Sequence, residues 1–225
     1  MELPLGLADR ALAFPLVIAE PLRYLAMGDS YTIGTGASVE RNGWPTLVAR
    51  RLSKATGRPV ALTNQAVNGF SARDLIAAEL HLVRERSPQF VTVLVGANDL
   101  VQGRPEAAYR SDLQVIYDEV SVLGLPSPHV TCVSVPDFSL TAWARAYGDP
   151  AALRAGIDRV NSIALEEASA RGYGWVDLTE VSRSGAGRPG WYAGDGLHPS
   201  DAQYAAWGEA IWAGVGAAWT AGVPT

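Results

Sequence analysis

Five short apolar stretches, Leu22 to Met27, Pro59 to Thr63, Phe90 to Gly96, Val130 to Val135 and Gly174 to Leu178, alternate along this chain with longer segments of helical periodicity. A strand that is apolar along its whole length has to be covered on both faces. Parallel strands also need crossovers long enough to hold a helix. The alternation therefore predicts an α/β domain of the doubly wound kind, a five-stranded parallel sheet between two helical layers in a three-layer α/β/α sandwich. The chain has 225 residues, 48% of them apolar, and no linker-like break, so residues 1–225 are read as a single domain.

Helix boundaries are marked by capping chemistry. Ser71 precedes Ala72-Arg73-Asp74 as a capping box opening a helix over Ala72 to Arg86, Pro105 suits a first helical position, and Ser200 with Gln203 forms a second capping box. The last helix, about Asp201 to Trp219, carries Tyr204, Trp207, Ile211 and Trp212 at three- and four-residue spacing. Such a stripe packs against a sheet more often than it holds a ligand. The segment Ser182 to Gly196, rich in glycine and interrupted by Pro189, reads as a long loop.

Composition removes several classes of function. With 18 basic and 23 acidic side chains the formal charge is −5, so the basic footprint of a nucleic-acid binder is missing. Cys132 is the single cysteine and lies in an apolar stretch, which makes it a core residue. Scattered histidines without a second cysteine imply no metal site. No segment reaches the roughly 20 consecutive apolar residues of an integral membrane span. The apolar run Ala11 to Ala19 contains Pro15 and follows Asp9 and Arg10, unlike a secretion signal, and a cytoplasmic location is expected.

In an open parallel sheet, ligands bind beyond the carboxyl ends of the strands, where loops converge. Gly28-Asp29-Ser30 follows the first strand, Asn64 to Gly69 the second, Gly96-Ala97-Asn98-Asp99 the third, Pro136-Asp137-Phe138 the fourth, and the loop with Asp195 and His198 the fifth. His129, just before the fourth strand, belongs at the opposite edge, and His81 falls within a helix. His198 is left on the site edge with Ser30. A serine hydroxyl needs a base to take its proton and a group to orient that base, and His198 and Asp195 suit those two roles. Attack on a carbonyl also needs donors aimed at the developing oxyanion. The amides of Ser30 and Gly69 and the Asn98 side chain are candidates. Each has a plainer reading: Asn98-Asp99 as a turn, Gly69 as a residue at positive φ, Gly-Asp-Ser as a turn tripeptide.

Gly28-Asp29-Ser30, Gly69, Gly96-Ala97-Asn98-Asp99 and Asp195-Gly196-Leu197-His198 together resemble the four signature blocks of the SGNH hydrolases, also called GDSL esterases, in the family's order and across nearly the whole chain. The resemblance implies a flavodoxin-like SGNH hydrolase fold. It implies Ser30 as nucleophile, His198 as base, Asp195 as its orienting acid, and Ser30, Gly69 and Asn98 as oxyanion donors. In many relatives a glycine follows the histidine where Gln203 stands here. The implied function is cofactor-independent hydrolysis of a small acyl ester of short to medium chain length through an acyl-enzyme. Lysophospholipase, thioesterase or carbohydrate deacetylase action on the same fold is the alternative.

Tyr31, Phe138, Trp143, Trp191 and Tyr192 border the expected site and are candidates to line a substrate pocket. A rival of a different class is a flavodoxin-like cofactor-binding module, with Ser30 to Gly36 cradling a phosphate. That loop matches neither a Walker A motif nor a dinucleotide fingerprint, since Val39 stands three residues after Gly36. A noncatalytic carbohydrate-binding descendant leaves the filled catalytic positions unexplained. The sequence is silent on oligomeric state.

Overall fold

The computed structural model describes residues 19–221 and 223, so all but the last residue of the apolar run Ala11 to Ala19 lies outside the described residues. Strands β1 (Leu22–Gly28), β2 (Val60–Asn64), β3 (Phe90–Leu94), β4 (Val130–Val133) and β5 (Gly174–Val176) form one all-parallel sheet in the order β2-β1-β3-β4-β5. Helices α1 (Ser30–Ile33), α2 (Trp44–Thr56), α3 (Ala72–Ala78), α4 (Leu82–Arg86) and α5 (Ala97–Val101) lie in the first half of the chain. Helices α6 (Glu106–Ser121), α7 (Ala142–Tyr147), α8 (Pro150–Ala170), α9 (Thr179–Ser184) and α10 (Asp201–Thr220) follow. α2 and α10 pack together on one side of the sheet, and α3, α6 and α8 form the layer on the other. This is the expected α/β/α sandwich. The strand order reverses between β1 and β3, and that switch point opens a crevice at the carboxyl edge.

The aromatic stripe of α10 is a packing face. Tyr204, Trp207 and Ile211 are fully buried, Trp212 is half-buried, and Trp219 meets Tyr24 and Phe90 with ring centroids 5.2 and 4.8 Å apart. Cys132 is buried, and burial pushes its thiol up to about 12, so it stays protonated and inert.

Three strands end two residues earlier than their apolar runs because side chains take over from the ladder. Val135 exchanges hydrogen bonds with the Asn161 amide at 2.8 and 2.9 Å, the Leu178 amide donates to Ser134 Oγ at 2.8 Å, and the Tyr109 hydroxyl donates to the Val95 carbonyl at 2.9 Å just before Gly96 caps α5. The expected helix over Ala72 to Arg86 is two helices. Its capping box is present, with Ser71 and Asp74 bonded reciprocally, but α3 stops at Glu79, whose carboxylate turns inward to accept the Gly28 amide at 3.2 Å. Pro105 stands just outside α6 as its cap. Ser200 caps α10 through the Ala202 amide, while Gln203, expected to complete a box, is buried with its amide against Trp191. The loop read from Ser182 begins inside α9.

Candidate active site

The carboxyl ends of β1 and β3 flank the switch point, with Gly28 registered against Leu94, so the residues that follow these strands face each other across the crevice. Asp29 is fully buried and caps the single turn of α1 by accepting the Tyr31 amide at 3.0 Å, which places Ser30 at the head of that turn. Burial pushes the Asp29 carboxyl up to about 7 against the pull of the Tyr31 amide, and the charge of Asp99 raises it further. The cavity at this point has a volume of about 150 Å³. Ser30, Gly69, Asn98 and His198 supply its polar rim, and Ala97, Val101, Phe138, Trp143 and Leu197 its apolar walls.

His198 reaches the cavity on the loop after β5. Its Nδ1 lies 2.6 Å from Asp195 Oδ2, and Asp195 Oδ1 accepts the amides of Leu197 and His198, each at 2.9 Å. The three-residue spacing thus closes a turn in which one carboxylate both shapes the backbone and holds the imidazole. Burial opposes ionisation of Asp195, but the two amides and the imidazole outweigh it and hold the carboxyl below its ordinary range. With Nδ1 donating to Asp195, Nε2 is the acceptor nitrogen. The loop fits tightly over the chain after α1, since a Cβ on Gly36 would meet the Pro199 carbonyl at 2.6 Å and His198 Cβ at 3.0 Å.

Asn98 Nδ2 donates to the Phe70 carbonyl at 2.9 Å and more distantly to Asp29 Oδ2 at 3.3 Å, fixing the amide between β1 and the loop that carries Gly69. Gly69 has φ +85°, and a Cβ there would meet nothing within 4 Å. Glycine is therefore required by its backbone conformation rather than by close approach. Among the described residues, no acceptor takes the backbone N–H of Ser30 or of Gly69. Asp99 holds the arrangement from behind. Its Oδ2 accepts the Ala72 amide and its Oδ1 the Arg104 Nε, both at 2.8 Å, joining α5 to the start of α3.

Tyr31, Phe138 and Trp143 line the cavity, and Asn68, Ala97, Val101 and Leu197 join them as close sequence neighbours of residues already singled out. Trp191 and Tyr192 do not. Trp191 is buried beneath the loop, with its indole donating to the Ser182 carbonyl at 3.1 Å, and Tyr192 lines a small neighbouring crevice instead. Asp137 is fully buried, accepts from Arg183 Nε at 2.7 Å and from the Ser139 amide at 2.9 Å, and so anchors the loop that presents Phe138. His81 is exposed at the break between α3 and α4. His129 packs against Phe90 before β4, with ring centroids 4.7 Å apart and the planes tilted by 41°. Among the described residues no cluster of three or more metal-ligating side chains occurs, and no helix is long and apolar enough to cross a membrane.

Comparisons with known proteins bear on the family and the fold. Residues 26–206 match the model of the GDSL-like lipase/acylhydrolase family. An arylesterase from Vibrio mimicus is 29% identical over 91 residues, which are 40% of this chain and 44% of that one. Less than half of that relative is therefore spanned. Two solved structures share the fold over most of both chains. The lipase/acylhydrolase from Enterococcus faecalis has a TM-score of 0.68 at 23% identity, covering 84% of this chain and 93% of its own. A variant of Axe2, an acetyl xylan esterase from Geobacillus stearothermophilus, has a TM-score of 0.69 at 18% identity, covering 88% and 96%.

Proposed function

We propose, given that this chain belongs to the GDSL-like lipase/acylhydrolase family, that it hydrolyses carboxylic esters of short to medium acyl chains without a cofactor. The observation that carries the reading is the 2.6 Å contact between His198 Nδ1 and Asp195, on an imidazole that shares one cavity with Ser30, Gly69 and Asn98. In this reading Ser30 Oγ attacks the ester carbonyl as His198 Nε2 takes its proton, and Asp195 stabilises the resulting imidazolium. The amides of Ser30 and Gly69 receive the oxyanion together with the Asn98 side chain, which keeps its bond to Phe70 and turns to it the N–H that otherwise points at Asp29 from 3.3 Å. Collapse of the tetrahedral intermediate returns the proton to the departing alcohol and leaves an acyl-Ser30 ester. A water activated by His198 then cleaves that ester and regenerates the hydroxyl.

The cavity volume favours a small acyl group. An enclosed cavity of roughly this volume holds a benzene molecule, so the space beside Ser30 suits a short acyl group such as acetyl, with the rest of the ester extending through the open side of the cleft. Treatment with a fluorophosphonate followed by peptide mass spectrometry tests the nucleophile. Labelling is expected at Ser30, with Ser30→Ala folded, unlabelled and slower by on the order of 10³ or more. Labelling of a different serine in an active enzyme would overturn the assignment.

A further inference from the structure

Helix α7 borders the cavity through Trp143, and its attachments tie it to both sides of the site. Thr141 caps it by accepting the Ala144 amide at 3.0 Å, and the Thr141 hydroxyl donates to the Phe138 carbonyl at 2.8 Å, so the helix is joined to the loop after β4. The Trp143 amide donates to the Gly196 carbonyl at 3.2 Å, inside the turn that sets Asp195 and His198. At the other end the Tyr147 hydroxyl donates to the Val101 carbonyl at 2.7 Å. Val101 is the last residue of α5, whose carbonyl has no partner within that helix.

Between these attachments the Trp143 indole stands on the cavity wall, with Phe138 edge-on at 6.2 Å and Tyr147 stacked on it at 4.6 Å and 16°. Tyr147 does not touch the cavity and is 52% exposed, so burial does not explain its place. What fixes its ring is the stack on Trp143 and the bond to Val101. A rotamer of Trp143 that swung outward would have to displace that stacked ring and break its hydroxyl bond.

We infer that α7 is the element that sets acyl-chain length, with Trp143 as the end wall of the acyl cavity and Tyr147 as a positioning residue that latches the wall to α5. This rests on the reading of the cavity as the acyl site. The space bounded by Trp143 suits a short acyl group, and in this inference a longer chain is seated only by pushing Trp143 against its latch. Each methylene that the wall excludes from apolar contact is worth about fourfold in relative reactivity. Acetyl and butyryl esters should therefore be turned over well, hexanoyl esters should fill the space, and octanoyl esters should fall by an order of magnitude.

The test is the ratio of kcat/KM for octanoyl and acetyl esters of one alcohol, para-nitrophenol, measured on the same preparation so that the folded fraction cancels. Trp143→Ala removes the wall and should raise the ratio by roughly 15-fold, the value of two methylenes. Tyr147→Phe keeps the stacked ring and deletes only the hydroxyl, and should raise the ratio about threefold. A purely structural role for Tyr147 would lower both rates together and leave the ratio unmoved. The inference is overturned if the wild-type enzyme already prefers octanoyl esters, or if Tyr147→Phe leaves the ratio at the wild-type value. It is equally overturned if a folded Trp143→Ala does so. Failure of the underlying esterase reading looks different: no ester of any length is cleaved and Ser30 takes no fluorophosphonate.

Discussion

Replacing Glu79 by glutamine should change how the stability of this protein depends on pH. Glu79 is fully buried, one of its carboxylate oxygens accepts the Gly28 amide, and the other has no partner. Burial, opposed only in part by the Gly28 amide and reinforced by the charge of Asp29, lifts the carboxyl from 4.5 to about 8. A carboxyl with a raised folded-state pKa binds its proton more tightly in the folded protein. Its penalty is therefore absent below the unfolded value near 4.5, grows as pH rises, and is complete above about 8. Integrating the proton-binding difference from about pH 5 to 9 gives about 4 kcal/mol, an upper figure because water entering around an ionised Glu79 reduces it. A range on the order of 2–4 kcal/mol corresponds to roughly 4–16 °C in Tm for a protein of this size.

Glutamine keeps an oxygen for the Gly28 amide and cannot ionise, but places an unpartnered NH₂ where the free oxygen stood. The wild type already leaves a neutral carboxyl atom unpartnered there at low pH, so the two should melt close together at pH 5 and the variant should gain on the wild type steadily toward pH 9. Thermal unfolding followed by circular dichroism at constant ionic strength measures the difference. Asp29 titrates in both proteins, and its repulsion by an ionised Glu79, lost in the variant, adds to the difference in the same direction. Two Tm profiles that run parallel from pH 5 to pH 9 would refute the reasoning, because they would mean that Glu79 does not titrate with a raised pKa.

Two further outcomes test the chemistry. Asn98→Ala should lower kcat by about 10² to 10³ with a smaller change in KM, as expected when a donor to a developing oxyanion is lost. A kcat within about twofold of wild type in a folded variant would reduce Asn98 to the tie between Phe70 and Asp29. Asp195→Asn should lower kcat on the order of 10²–10⁴, because an amide can present the wrong partner to Nδ1 and no longer stabilises an imidazolium. Steady-state kinetics at pH 7 to 8 decide it, and an undiminished rate would remove Asp195 from the mechanism.

What the sequence made legible is what its local pattern encodes. Five continuous apolar runs define a doubly covered sheet, and the direction of a parallel strand decides which loops can meet, so the sequence alone puts Ser30, Asn98 and His198 on one edge. The periodicity of Ala72 to Arg86 was misleading for the same reason. It registers which residues can be helical, while α3 is ended by Glu79 reaching a partner 51 residues away in the chain. Gln203 fits a capping pattern read along the chain, yet its amide belongs to Trp191, and Trp191 and Tyr192 neighbour the site in sequence while their rings pack elsewhere.

The outcomes at Glu79, Gln203 and Trp191 share a physical origin. A buried polar group away from regular structure must find a partner wherever the fold brings one, and that requirement overrides local preference. Glu79 shows the consequence for the site: the Gly28 amide lies one residue before Asp29 and two before Ser30, and its acceptor comes from a distant helix end. The loop that presents Ser30 is therefore held by an interaction that no reading of the Gly-Asp-Ser block alone contains.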